Sequence, residues 1–170
     1  MTTVHSGRTT SLAVALALLA MSAALNPALA APSPAVRGGG VVGGELGVTS
    51  QLAFTASADG GSFLCVMAGR SGGFPFGSWD EVLQMLVQGR VTPGSLEIDG
   101  PWSRFEGIAR IHVVGKADGE VLTTTLYDVR FLSTQEAGGA GEAWHHLEIP
   151  DLGLAFGPAP MLTGRITIHD

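Results

Sequence analysis

Two short stretches of the chain carry residue types that do chemistry at usable spacing. In Trp144-His145-His146-Leu147-Glu148, His146 and Glu148 stand two residues apart, and on a β-strand such residues share a face. An imidazole and a carboxylate so placed offer two metal ligands, with Glu142 or His169 available as a third. Gly69-Arg70-Ser71-Gly72-Gly73 has the G-x-S-x-G form of a nucleophile elbow, in which a strand runs into a tight turn and then a helix, leaving the serine exposed. Here Phe74-Pro75-Phe76-Gly77 separates Ser71 from the next helical pattern, so no helix N-terminus stands directly behind it. A triad would also need His112, His145, His146 or His169, and no spacing favours one of them.

Two weaker sets accompany these. Glu97 and Asp99 share a strand face, with Glu106 nearby in sequence, and paired carboxylates are what glycoside hydrolysis requires. They fall on a short strand beside a turn, where acidic side chains are commonly just solvated. Phe74, Phe76, Trp102 and Trp144 are the candidate ligand-binding aromatics: a Trp face is wide, flat and apolar with a polar edge, suited to a sugar ring or an apolar ligand. Trp79 belongs with the packing of its own element.

The elements that must position these residues are mostly strands. Leu52, Phe54, Ala56 and Ala58 alternate with Gln51, Ala53, Thr55 and Ser57, the period of a half-buried strand, and Asp59-Gly60-Gly61 closes it. Ser62–Ala68 reads as a buried strand. Ser95–Asp99, Ser103–Val114, Glu120–Ser133, Ala143–Ile149, a weaker Leu152–Phe156 and a terminal strand from Leu162 to His169 follow. Lys116-Ala117-Asp118-Gly119 makes a hairpin turn, and Gln135–Glu142 reads as an exposed loop.

One segment departs from period 2. Ser78-Trp79-Asp80-Glu81 has the form of a capping box, and Trp79, Val82, Leu83 and Leu86 fall on one helical face. The spacing predicts a helix over about 79–88, ended by Gly89. Seven to nine strands, short turns and one inserted helix, without βαβ alternation, predict an antiparallel β-sandwich or a small β-barrel.

Residues 1–30 read as a secretory signal peptide: Arg8 in a polar start, an apolar run from Leu12 to Leu25, and Ala28-Leu29-Ala30 before cleavage. The run is shorter than the roughly 20 residues of a membrane-spanning helix. No twin arginine and no Cys near the cleavage site points to another route or to a lipid tether. Residues 31–40 read as a flexible Pro/Gly-rich leader, and 41–170 as one β domain, secreted or periplasmic. The preponderance of Arg over Lys, with abundant Ala and Gly, suggests a bacterial source.

Charge narrows the partners. The chain carries −6, and loss of Arg8 with the signal makes the remainder −7. A domain so acidic, with Lys116 its lone lysine, repels phosphate backbones and anionic membrane surfaces, so nucleic acid and stable membrane insertion are not expected. Cys65 is the single cysteine, so no intrachain disulfide forms, and its apolar neighbours mark it as a small buried hydrophobe. No cofactor motif is found.

Phe105-Glu106-Gly107-Ile108-Ala109, Leu126-Tyr127-Asp128-Val129 and Leu162-Thr163-Gly164-Arg165-Ile166-Thr167-Ile168-His169 resemble a recurring all-β accessory domain of bacterial secreted proteins. Its pattern is an F-x-G-x-A strand, a strand ending near an Asp, and a closing LTGG-x-I-x-I strand. The resemblance covers about Ser95–Asp170, with Arg165 in place of a Gly, and the helix over 78–89 lies outside it. It implies an all-β fold in an exported protein and brings no catalytic residues.

The sequence therefore leads to an exported, non-enzymatic β domain that binds a small ligand, a glycan or a protein. The alternative is a small secreted hydrolase using Ser71 or a His146/Glu148 metal cluster.

Overall fold

Period-2 burial governs nearly every element of the computed structural model, which describes residues 33–44, 49–71 and 79–169. Nine strands follow in chain order: β1 Ala35–Gly43, β2 Thr49–Ser57, β3 Gly60–Ser71, β4 Glu81–Val91, β5 Glu97–Asp99, β6 Trp102–Ala117, β7 Glu120–Glu136, β8 Trp144–Ile149 and β9 Leu154–His169. A single 3-10 turn, Pro150–Leu152, lies between β8 and β9. Each long strand pairs antiparallel with the next, β9 pairs with β1, and β4 pairs with β6. The sheet thus closes as an eight-stranded up-and-down barrel, the outcome that removes free sheet edges around the ring. Strand β5 is the ninth: it pairs with Trp102–Arg104 of β6, taking over from β4 along the same edge.

The inner wall is apolar. Phe54, Phe63, Phe105 and Phe131 meet at its centre, with ring centroids 5.4 Å apart for Phe54–Phe105 and 4.7 Å for Phe63–Phe131. Glycine makes room for them. A Cβ on Gly89 would lie 2.5 Å from Phe131 Cε1, so β4 passes close over that ring only because the side chain is missing.

The helix expected over 79–88 is not formed; this segment is mostly strand β4. Val82, Met85, Val87, Gly89 and Val91 are its buried positions. A register shift between Val82 and Gln84 is a β-bulge that adds one residue and converts a spacing of two into three. Leu83 and Leu86, two members of the expected helical face, are half-buried off the inner row. Pairing on both edges, with β3 and β6, overrides the helical propensity of Leu83, Gln84, Met85 and Leu86. Glu81, expected to close a capping box, instead reaches Lys116 across the β4–β6 pair at 3.8 Å.

Three smaller differences share one cause, the completeness of the ladder. Strand β1 begins at Ala35, inside the segment expected as a leader, because Val36 is a core residue and Gly38 accommodates the Phe54 ring. Gln135, expected in an exposed loop, is wholly buried in β7. The two C-terminal strands are one, β9, kept continuous by pairing with β8 and then with β1. The export signal expected over residues 1–30 lies outside the described residues.

Candidate functional site

Strands β6, β7 and β8 bring two tryptophans to one face. The register aligns Trp102, Glu136, Trp144 and Pro160 as directly opposed partners, and opposed residues project to the same side of a sheet. That side is the outside. Trp102 is 45% and Trp144 38% exposed, so two large apolar faces stand in solvent, roughly 10 Å apart across two strand spacings. The next row places Thr134 between Arg104 and His146. Beyond it Glu148 approaches His146, with Oε1 3.5 Å from Nε2.

An open cleft of about 330 Å³ is lined by Trp102, Thr134, Trp144, His145, His146, Glu148 and Pro158. It adjoins a register shift between β8 and β9 at His145/Leu147, a bulge that places both Gly157 and Pro158 opposite His146.

Directly beneath, the inward parity of the same strands carries a buried polar chain. Ser103, Gln135 and His145 form the inner row, with Ser133 one step along. Gln135 Nε2 donates to Ser103 Oγ at 2.9 Å, and Ser133 Oγ donates to Gln135 Oε1 at 2.9 Å. Having given its one hydrogen to Gln135, Ser133 accepts at its second contact, so His145 Nε2–H donates across 3.1 Å. His145 lies near-parallel to Phe54 and Phe63, and burial, with His146 as a lesser cause, pushes its pKa down to about 3. It is a neutral donor, not a base, and the hydrogen of Ser133 goes to the Gln135 amide oxygen, which is no base either. The group is a satisfied polar strut inside the barrel.

The other sequence candidates separate. Ser71 is the last residue of β3 and pairs with Val82, and the next described element is a strand, not the helix an elbow uses. Phe74 and Phe76 lie outside the described residues. His112 Nδ1 is 2.9 Å from Thr125 Oγ1 on the β6–β7 arm, and His169 pairs with Ala35 at the end of β9. Glu97 and Asp99 are exposed on β5 with Arg104 opposite Glu97. Among the described residues no three His, Cys, Asp or Glu side chains converge on a metal position. Cys65 is buried in β3, and its surroundings push the thiol pKa up to about 12, burial outweighing a hydrogen bond with Ser50.

Sequence reasoning missed Thr134 and Glu136 of the outer face and Ser103, Ser133 and Gln135 of the inner row. The inner set had a signal: Ser133 and Gln135 share the parity of Phe131, and His145 that of Leu147 and Ile149. The outer set depends on cross-strand register, which no single strand displays.

No family model matches this chain. No curated protein and no solved structure matches it significantly either.

Proposed function

We propose that the protein is a non-enzymatic binding domain that holds a glycan on the outer face of β6–β8. The observation that carries this reading is the exposed Trp102–Trp144 pair over a cleft with polar groups at its rim. Two exposed indoles on one face, rimmed by polar groups, are the kind of apolar patch that marks a binding site. Their spacing of roughly 10 Å suits two successive sugar rings, each stacked on one indole through its C–H face. Thr134, Glu136, His146 and Glu148 supply hydroxyl-directed donors and acceptors at the sides. An apolar ligand would make no use of that rim, and a nucleic acid would meet repulsion from an acidic chain.

The outer wall also supports work in water. Gln84, Gln88 and Arg90 on β4, and Arg104, Glu106 and Arg110 on β6, project outward, while the apolar set faces inward. A lipid-spanning barrel has the opposite arrangement. The export signal read from residues 1–30 fits a protein that meets glycans outside the cytoplasm.

Calorimetric titration of the purified protein with neutral oligosaccharides from two to six rings tests the proposal. Binding should be lost with Trp102→Ala and with Trp144→Ala while the melting temperature stays within a few degrees. Binding unaffected by both substitutions would sink it.

A further inference from the structure

Among the described residues, part of the β7 edge extends past β8 without a strand partner. Strand β7 runs from Glu120 to Glu136, yet β8 pairs with it only along Leu132–Glu136. Arg130 is satisfied by a side chain, its amide donating to Asp151 Oδ2 at 2.7 Å. Among the described residues no strand bonds to the edge of β7 over Glu120–Val129 on the side away from β6. The stretch is held in extended form by β6, with Ala117–Glu120 through Ile111–Leu126 in register. Over Glu120–Leu126 it therefore presents a preformed row of backbone donors and acceptors, ended by a bulge at Tyr127–Asp128, and Val121 and Tyr127 are 62% and 68% exposed. Such an edge is a template for another strand.

The sequence of this edge says which strand. Val121-Leu122-Thr123-Thr124-Thr125-Leu126-Tyr127 reads nearly the same in both directions about Thr124. We infer that a second copy of this chain pairs antiparallel with β7 across a two-fold axis at Thr124. In that register Val121 opposes Tyr127 of the other copy, Leu122 opposes Leu126, Thr123 opposes Thr125, and Thr124 opposes itself. Apolar meets apolar on both faces and Thr meets Thr, the pairs that stabilise a ladder. A two-fold interface must be self-complementary in this manner.

Charge agrees. Two copies of a chain carrying −6 repel each other, and these seven residues carry no charge at all. Glu120 and Asp128 bound the segment on either side, and a longer pairing would bring them into direct opposition. Asp128 also adopts a left-handed conformation, φ 56°, which ends the extended run. The edge is thus limited to about six to eight intermolecular hydrogen bonds, a small and reversible interface.

Sedimentation equilibrium of the purified protein over a wide concentration range tests this. The wild type should show a monomer–dimer equilibrium. Thr124→Asp and Thr124→Lys should each weaken it roughly tenfold or more through like charges on the axis, and an equimolar mixture of the two should restore dimers. A wild type that stays monomeric at every concentration, or dimers unaffected by both substitutions, would overturn the inference. Should the charged variants unfold, Thr124→Cys decides the matter. Under mild oxidation it should form a disulfide-linked dimer, since the two residues face each other, and buried Cys65 cannot compete. Val121→Cys, placed opposite Tyr127, should not. Equal cross-linking of both, or of neither, would count against the axis at Thr124.

Discussion

Acid should destabilise this protein through His145 in a pH window set by its burial. The imidazole is neutral in the fold, with a pKa pushed down to about 3, whereas in the unfolded chain it titrates near the ordinary value of about 6.5. Between these values the unfolded state takes up a proton that the folded state refuses, so stability falls as pH falls. The sign is that of a depressed base: the contribution is intact above about pH 6.5 and is lost progressively down to about pH 3. Each pH unit inside the window costs about 1.4 kcal/mol, hence about 2 kcal/mol at pH 5 and about 3 kcal/mol at pH 4. The assay is urea unfolding of wild type and His145→Gln at half-unit steps from pH 7.5 to 4. Gln keeps a donor for Ser133 but does not titrate, so subtracting the two curves removes the carboxylates common to both. The difference should shrink steadily below pH 6.5. Parallel curves throughout would refute the reasoning that His145 is buried, neutral and committed to Ser133.

Other expectations follow from the same packing. Gly89→Ala should destabilise by about 1–3 kcal/mol in chemical denaturation, because its Cβ would meet the fully buried Phe131 ring at 2.5 Å; a stabilised variant would contradict that contact. Gln135→Leu should cost about 1–3 kcal/mol, since it strips partners from both Ser103 and Ser133, and an unchanged midpoint would show that the polar strut is dispensable. Cys65 should resist a thiol reagent at pH 8 in the native protein and react at once in denaturant; prompt native labelling would place it at the surface.

How much of this was readable beforehand depends on which interactions decided each element. Alternation at Gln51–Ser57, the apolar run of Ser62–Ala68 and the turn residues Lys116–Gly119 of the β6–β7 hairpin mark these strands by residue type alone. A barrel stood as one of two architectures, and closure is decided by β1 meeting β9, a pairing between the first and last strands that no local pattern announces. The apolar spacing over 79–88 suits a helix, yet the strand splits it: Val82 is buried, whereas Leu83 and Leu86 are half-buried off the inner face, and pairing with β3 and β6 decides the outcome. Of the candidate ligand-binding aromatics, Trp102 and Trp144 do come together, but through register with Glu136, not through any motif. The His146–Glu148 pair was visible as a shared strand face, and it stands on the rim of the cleft. Its neighbour His145, one residue away, points the opposite way and serves the core.

The binding face can be examined most directly through the three indole N–H signals of the chain in a proton–nitrogen NMR spectrum. Trp79 packs against the barrel core, whereas Trp102 and Trp144 stand on the outer face. Titration with a short neutral oligosaccharide should shift the Trp102 and Trp144 signals together, with one common saturation curve, and leave Trp79 in place. Signals of Trp102 and Trp144 that stay fixed while ligand binds, or that move with unrelated midpoints, would contradict a single glycan held across both rings.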